Sequence, residues 1–350
     1  MKKERIIWLD ALKGFTIIFV VLGHILLGYT ENNVFKHYNI QLQKLQDWIY
    51  IWHMPLFFVL SGIAFCVSCF SQDGISNQAK VKKSCFNLLF LYLFWDITIV
   101  LLKFVFSEFV DNQISKKGIA LNIFMPDTLM WYLWVLIIFY VLFSKIPWLK
   151  NEWKTEIILI ILAIAVKIID KEYDVRLCLK NLFYCAPFFM LGIILKRWMF
   201  DINCSKKKQL ERNICLVASA EIILFTLAYF TMNYLKVSLN MQIIIELITA
   251  ICICLVCVLI FKNNKSIGGF YLFSELGKAS LVIYLLHTYI VTAFKRLTIS
   301  MFTVNNPVYV ILIILVLTLS ITYVIYRKSE KNKILNYLFK PIKIFKTLFE

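Results

Sequence analysis

Apolar residues in this chain come in long blocks separated by short polar or charged stretches, with no sustained short-period alternation. Runs of about 18 or more apolar residues can cross a bilayer as helices. Ten such blocks begin near Ile6, Trp48, Ser84, Leu129, Thr155, Leu179, Arg212, Met241, Phe270 and Pro307. The alternating segments of about ten residues that mark a membrane barrel are missing. The pattern predicts an all-α, polytopic membrane protein with about ten transmembrane helices. Connections are short; the longest expected loops run from Tyr29 to Asp47, Ser107 to Asp127 and Asp201 to Glu211. No repeat, low-complexity tract or glycine-rich phosphate loop interrupts the pattern. The division expected is a transmembrane domain over 1–328 and a basic cytoplasmic tail over 329–350.

Composition agrees with that pattern. The chain is 61% hydrophobic, 16% aromatic and 17% charged, far more apolar than a soluble domain. A net charge of +17 raises the question of nucleic acid, but the positive residues follow the membrane. With the N-terminus inside, the richest clusters, Lys196-Arg197 with Lys206-Lys207-Lys208 and the segment from Arg327 to Lys346, fall on the inner side, as the positive-inside rule requires. Both termini are therefore expected in the cytoplasm, with the tail drawn to the anionic inner leaflet. The partner implied is the lipid bilayer of the cell membrane, not nucleic acid.

The Lys2-Lys3-Glu4-Arg5 start before an apolar run resembles a signal peptide, but no small-residue cleavage site closes the run, so a retained first helix is expected. The ten cysteines lack metal-type spacing. Cys252, Cys254 and Cys257 read as small buried hydrophobes. Neither a metal nor a bound cofactor is expected.

Candidate chemistry lies with the histidines. Three of the four, His24, His53 and His287, fall inside spanning blocks, where a titratable ring is expensive and usually faces a bundle interior or a wet cavity. Helix rise places His24 in the outer half of helix 1, His53 in the outer half of an inward-running helix 2, and His287 far along an outward-running helix 9. The three rings are expected to share one layer. Lys13 and His24 are eleven positions apart, about three turns, and so share a face with Asp10 close by; the stripe links a charged cytoplasmic mouth to an imidazole in the membrane. The plain alternative makes Asp10 and Lys13 interfacial anchors and His24 a packed ring.

On helix 2, His53-Met54-Pro55 precedes Ser61-Gly62; the proline frees a backbone carbonyl and the small pair admits a neighbouring helix. On helix 9, Gly277, Ser280, Tyr284 and His287 recur every three or four residues as a small, polar seam. Asp96, Lys167, Glu221 and Glu246 are further intramembrane charges, Glu246 in helix 8 the most telling of them. Trp131 and Trp134 can stack on a sugar ring but suit interfacial anchoring better.

Together these residues resemble the acyltransferase-3 family of bacterial integral membrane acyltransferases. The family pattern on helix 1 is matched by Arg5, Leu9-Asp10, Lys13-Gly14 and His24. Phe57-Phe58-Val59-Leu60-Ser61-Gly62, Trp131-Tyr132-Leu133, Pro187-Phe188-Phe189 with Leu191-Gly192, and Gly277 through Tyr284-Leu285-Leu286-His287 match further signatures in order, so the likeness covers Arg5 to Tyr326. The His-Met-Pro-Leu-Phe-Phe start of helix 2 is similar to the sugar O-acetyltransferase branch, which includes fucose acetylases. Where family members often carry arginines entering helix 3, this chain has Lys80, Lys82 and Lys83, point charges without a bidentate fork.

The resemblance implies transfer of an acyl group, usually acetyl from acetyl-CoA as co-substrate, to a hydroxyl of a surface polysaccharide or lipid-linked glycan. On that reading the donor's phosphates meet Arg5, Lys13, Lys82 and Lys83 at the inner mouth. His24 is the general base or a transient acyl carrier. Asp10 holds Lys13 or Arg5 in place. His53, Tyr284 and His287 position the acceptor or stabilise the oxyanion, with Ser61, Glu246 and Trp131 on the acceptor side. Ser61 is a poor nucleophile, because eight residues of helix put it about two turns from His53. A glycan exporter without catalysis is the competing class. Such folds usually show related halves with Gly- or Pro-broken helices, and 10 Gly, 6 Pro and no visible repeat give it little support.

Overall fold

The computed structural model describes residues 6–70, 76–105, 124–126, 128–145, 152–173, 175–201, 205–231, 239–263, 269–301 and 306–341. Over these residues the long elements are all helices: α1 (Ile7–Glu31), α2 (Asn39–Cys69), α3 (Gln78–Val105), α4 (Trp131–Lys145), α5 (Glu152–Tyr173), α6 (Leu177–Asp201), α7 (Ser205–Phe230), α8 (Leu239–Asn263), α9 (Phe270–Met301), α10 (Pro307–Lys331) and the short α11 (Lys333–Phe339). Each of the ten apolar blocks corresponds to one of the long helices. Among the described residues eight helices are long and apolar enough to cross a membrane. The other two differ for separate reasons: α4 is apolar but 15 residues long, and charges at both ends of α5, such as Lys154 and Asp170, dilute its apolar run. The chain is an all-α, multi-pass membrane protein.

Two expected loops are mostly helical. The Tyr29–Asp47 stretch holds the end of α1, a 3₁₀ turn over Lys36–Tyr38 and the first nine residues of α2. Its polar residues broke the apolar run, but none of them breaks a helix. The Asp201–Glu211 stretch likewise contains the first turns of α7. The third, Ser107–Asp127, lies largely outside the described residues. α1 ends where Asn33 adopts a left-handed conformation, φ 47°. Asn33 N–H then bonds the Thr30 carbonyl and Val34 N–H the Tyr29 carbonyl, at 3.1 and 3.2 Å, a Schellman closure in which asparagine takes the usual glycine position. At α11 the Asn332 side chain accepts from the amides of Ile334 and Leu335, as an N-cap does.

The chain forms two interleaved compact units, Met1–Leu60 with Ile202–Lys331, and Ser61–Asp201 with Asn332–Glu350. In the first, α1 packs along α9, and α10 lies against both. The α1–α9 pair runs parallel, since Asp10 and Gly14 meet Gly277 while, toward the other end, the Tyr29 hydroxyl bonds that of Thr298 at 2.7 Å. Phe15, Phe19, Trp52, Phe261 and Phe273 fill the space beside α1. α10 turns Val308, Leu312, Ile313 and Val316 outward; lipid tails are as apolar as these side chains, so the exposure suits a bilayer.

In the second unit, Phe65, Phe139, Tyr140, Phe143 and Phe189 make an aromatic core. α2 touches α6 so closely at Gly62 that a Cβ there would overlap the Phe189 carbonyl oxygen, with Gly192 Cα 3.2 Å away. Without a hydrophobic drive between helices in lipid, such small-residue approaches carry the packing. Phe339 of α11 stacks on Trp95 at 5.8 Å, so part of the expected tail is folded against this unit.

Candidate active site

The histidines of the first unit converge because of how α1 and α9 are brought together. A Cβ on Gly14 would overlap the Phe273 carbonyl oxygen, and one on Gly277 would overlap the Asp10 carbonyl oxygen. The two backbones are therefore in direct contact at this level, which only glycines permit. About three turns further along each helix, side chains fill the space between them. There the His24 and His287 rings stand 5.1 Å apart, centroid to centroid.

Helix α2 contributes the third ring. Thr30 bonds Gln46 at 2.6 Å, which fixes α2 beside the end of α1. Tyr50 then lies against Gly23, where a Cβ would come within 3.1 Å of its ring. The Tyr50 ring meets His24 edge-on at 6.3 Å and His53 at 4.9 Å. Tyr284, one turn before His287, is 6.3 Å from it. His53 and His287 are 2% and 0% exposed, whereas His24 is only half-buried.

The hydrogen bonds fix what each ring presents. His53 Nδ1 lies 2.8 Å from the Ile49 carbonyl oxygen, and His287 Nδ1 lies 3.0 and 2.8 Å from those of Ile283 and Tyr284. A carbonyl oxygen only accepts, so Nδ1 carries the proton in both rings and Nε2 of the neutral imidazole keeps a lone pair. The Nε2 of His287, the hydroxyl of Tyr50 and the indole nitrogens of Trp48 and Trp52 are buried without a hydrogen-bond partner among the described residues. Such atoms are expensive to bury empty-handed. The arrangement offers lone pairs from two fixed imidazoles, a third imidazole beside them, and an uncommitted phenol.

The remaining expected residues divide between the units. Asp10 is buried and Lys13 half-buried on α1. Glu246, on α8, belongs with Asp47 and Glu31 to the same unit as the histidines. Ser61, Lys82, Lys83 and Trp131 belong to the second unit. There the Ser61 hydroxyl bonds that of Tyr132 at 2.8 Å, Trp131 is buried, and Lys82 and Lys83 are exposed on α3. Arg5 lies outside the described residues. Two other intramembrane charges have structural partners: Glu221 accepts from Thr249 at 2.7 Å and Lys167 sits 4.3 Å over the Tyr184 ring. Among the described residues no three His, Cys, Asp or Glu side chains are arranged to hold a metal.

Tyr50 is the member that sequence reasoning missed. Its signal was the spacing of three from His53, which puts the two on one face of a helix.

A model of the family described as Acyltransferase domain matches residues 6–327. No curated protein and no solved structure is significantly similar to the chain.

Proposed function

The chain belongs to this acyltransferase family, and from that premise we propose that it is an O-acetyltransferase of the cell membrane, moving acetyl from acetyl-CoA to a hydroxyl of a surface polysaccharide or lipid-linked glycan. The observation that carries the reading is the contact of His24 with His287 and Tyr50, which sets a half-buried base among groups with unused hydrogen-bonding capacity.

In the proposed reaction His24 takes the proton of the acceptor hydroxyl as that oxygen attacks the thioester carbonyl carbon. The tetrahedral intermediate collapses, the carbon–sulfur bond breaks, and the proton passes from His24 to the departing sulfur, releasing CoA as its thiol. His287 orients the base. Ring nitrogens stand about 1.1 Å from the centroid, so a hydrogen bond of about 2.9 Å between two imidazoles sets their centroids about 5 Å apart. The observed separation therefore admits a bond from a His24 N–H to His287 Nε2 on a turn of the His24 ring, leaving the other His24 nitrogen as the base. His53 Nε2, Tyr284 and Glu246 position acceptor hydroxyls. Toward the other end of α1, Lys13, steadied by Asp10, holds a donor phosphate as a point charge, and Arg5, two residues before the helix in the sequence, supplies a planar fork for another.

The test is mass analysis of surface glycans from a host carrying the intact gene, a His24→Ala copy at equal membrane level, or a deletion. Acyl groups present only with the intact gene, on glycan that still reaches the surface in the variant, are the expected result. Normal acylation in the His24→Ala strain overturns the role of His24. Loss of surface glycan with no acyl difference overturns the acetyltransferase reading in favour of export.

A further inference from the structure

Acyl transfer needs a donor at the oxygen that gains charge in the tetrahedral intermediate. Two of the groups first considered for that task are unsuited to it. The Nδ1 protons of His53 and His287 are held by backbone carbonyls, so the neutral rings present only lone pairs to the site. The oxyanion donor has to be sought elsewhere in the cluster.

Resting on the acetyltransferase reading above, we propose that Tyr50 is this donor: its hydroxyl donates a hydrogen bond to the acetyl carbonyl oxygen, and the bond tightens as that oxygen becomes anionic.

Three observations converge on it. Its hydroxyl is buried and without a partner among the described residues. Its ring lies beside both the base and a second imidazole, 6.3 Å from His24 and 4.9 Å from His53, which brings the phenol close to the proton transfer. Gly23 gives the ring room, since a Cβ there would press on it at 3.1 Å. The Trp48 and Trp52 indoles also lack partners, but these two rings pack on each other, and Trp52 also on Phe15 and Phe19. A phenol is a stronger donor than an indole, and it needs no change in net charge to serve.

No bond to Tyr50 is made or broken in this role. The carbonyl π pair moves onto oxygen as the acceptor oxygen adds, Tyr50 O–H steadies it, and the pair returns as CoA leaves. Tyr50 thus acts on the carbonyl, where His24 acts on the proton.

The experiment uses inside-out membrane vesicles that carry the full-length protein and its own acceptor, given 13C-acetyl-CoA. In parallel, the infrared carbonyl band of acetonyl-CoA, a ketone that cannot transfer its acyl group, is recorded on the purified protein. Tyr50→Phe is expected to lower kcat about 10²- to 10³-fold, the loss typical of one oxyanion donor, with little change in KM for acetyl-CoA. The bound ketone band, shifted down by the hydrogen bond in the unmutated protein and in His24→Ala, is expected to lose that shift in Tyr50→Phe. Unchanged turnover in Tyr50→Phe overturns the proposal while leaving His24 as base. So does a slower variant that keeps the carbonyl shift, because the tyrosine is then structural. A His24→Ala protein as active as the unmutated one overturns His24 as the base, whereas no 13C-acetyl incorporation by the unmutated protein overturns the acetyltransferase reading itself.

Discussion

The imidazoles of His24 and His287 face each other 5.1 Å apart, centroid to centroid, on two parallel helices joined backbone to backbone at Gly14 and Gly277. If His287 works by orienting His24, the two rings act as a unit. His24→Ala is then expected to lower the transfer rate by about 10²- to 10⁴-fold, the range of a lost general base, and His287→Ala by less. The double variant should be no slower than His24→Ala, because groups acting as a unit are non-additive. Initial rates of 13C-acetyl incorporation in membrane vesicles check this. Multiplying losses in the double variant would sink the orienting role.

The glycine crossing sets the distance between those rings. Alanine at Gly14 or Gly277 places a methyl group on a backbone carbonyl that cannot move aside as a side chain does. The expected cost is about 1–3 kcal/mol from overpacking, with loss of transfer as α1 and α9 separate. Gly28 provides the control, because a Cβ there meets the flexible Lys295 side chain at 3.1 Å. Gly28→Ala should be neutral or slightly stabilising, since alanine is the better helix former by about 0.5–1 kcal/mol. Thermal inactivation of the three variants in detergent separates these outcomes; equal behaviour would show that the crossing is not a constraint.

What the sequence made legible follows from which physical signals are local. Spanning helices announce themselves by apolar length, so each block recurs as a helix. Helix starts were misplaced at Asn39 and Ser205 because helicity continues through polar residues once nothing breaks it, whereas an apolar run does not. His24, His53 and His287 stood out as titratable rings in hydrocarbon. Their pairing did not, because the contact between α1 and α9 joins residues far apart in the chain, and sequence marks only one side of it at a time. Tyr50 was hidden for a different reason: an aromatic near the end of a spanning block reads as an interfacial anchor, and only its packing against His24 and His53 distinguishes it.

Glu221 and Glu246 are both intramembrane carboxylates, of which the sequence favoured Glu246 for the acceptor side. Glu221 accepts a bond from Thr249, itself buried and also tied to the Ile245 carbonyl, so it serves to hold α7 to α8. Glutamine keeps an acceptor there, and Glu221→Gln should cost on the order of 1 kcal/mol or less and leave glycan acetylation intact. Glu246 lies in the unit that holds the histidines, and Glu246→Gln should reduce acetylation at equal protein level if it contacts the acceptor. The acetyl content of surface glycan decides between the two. A Glu221→Gln strain as deficient as His24→Ala would contradict the structural role.

Ser61 and Gly62 are neighbours with opposite expectations. The Ser61 hydroxyl is engaged with Tyr132 at 2.8 Å, and its place about two turns along α2 from His53 leaves it without that base to activate it. Ser61→Ala should therefore transfer acetyl normally and lose about 1 kcal/mol, the worth of one hydrogen bond whose other partner stays behind. Gly62→Ala adds a single methyl group where the Phe189 carbonyl oxygen already fills the space, with Gly192 Cα at 3.2 Å. The clash is with backbone on both counts, so α2 and α6 have to part, and a loss of about 1–3 kcal/mol or more is expected. Comparing the heat-inactivation midpoints of the two variants with their acetylation rates tests both statements. An inactive but stable Ser61→Ala protein would restore the serine as a catalytic candidate, whereas a Gly62→Ala protein as stable as the unmutated one would show that the α2–α6 contact yields without cost.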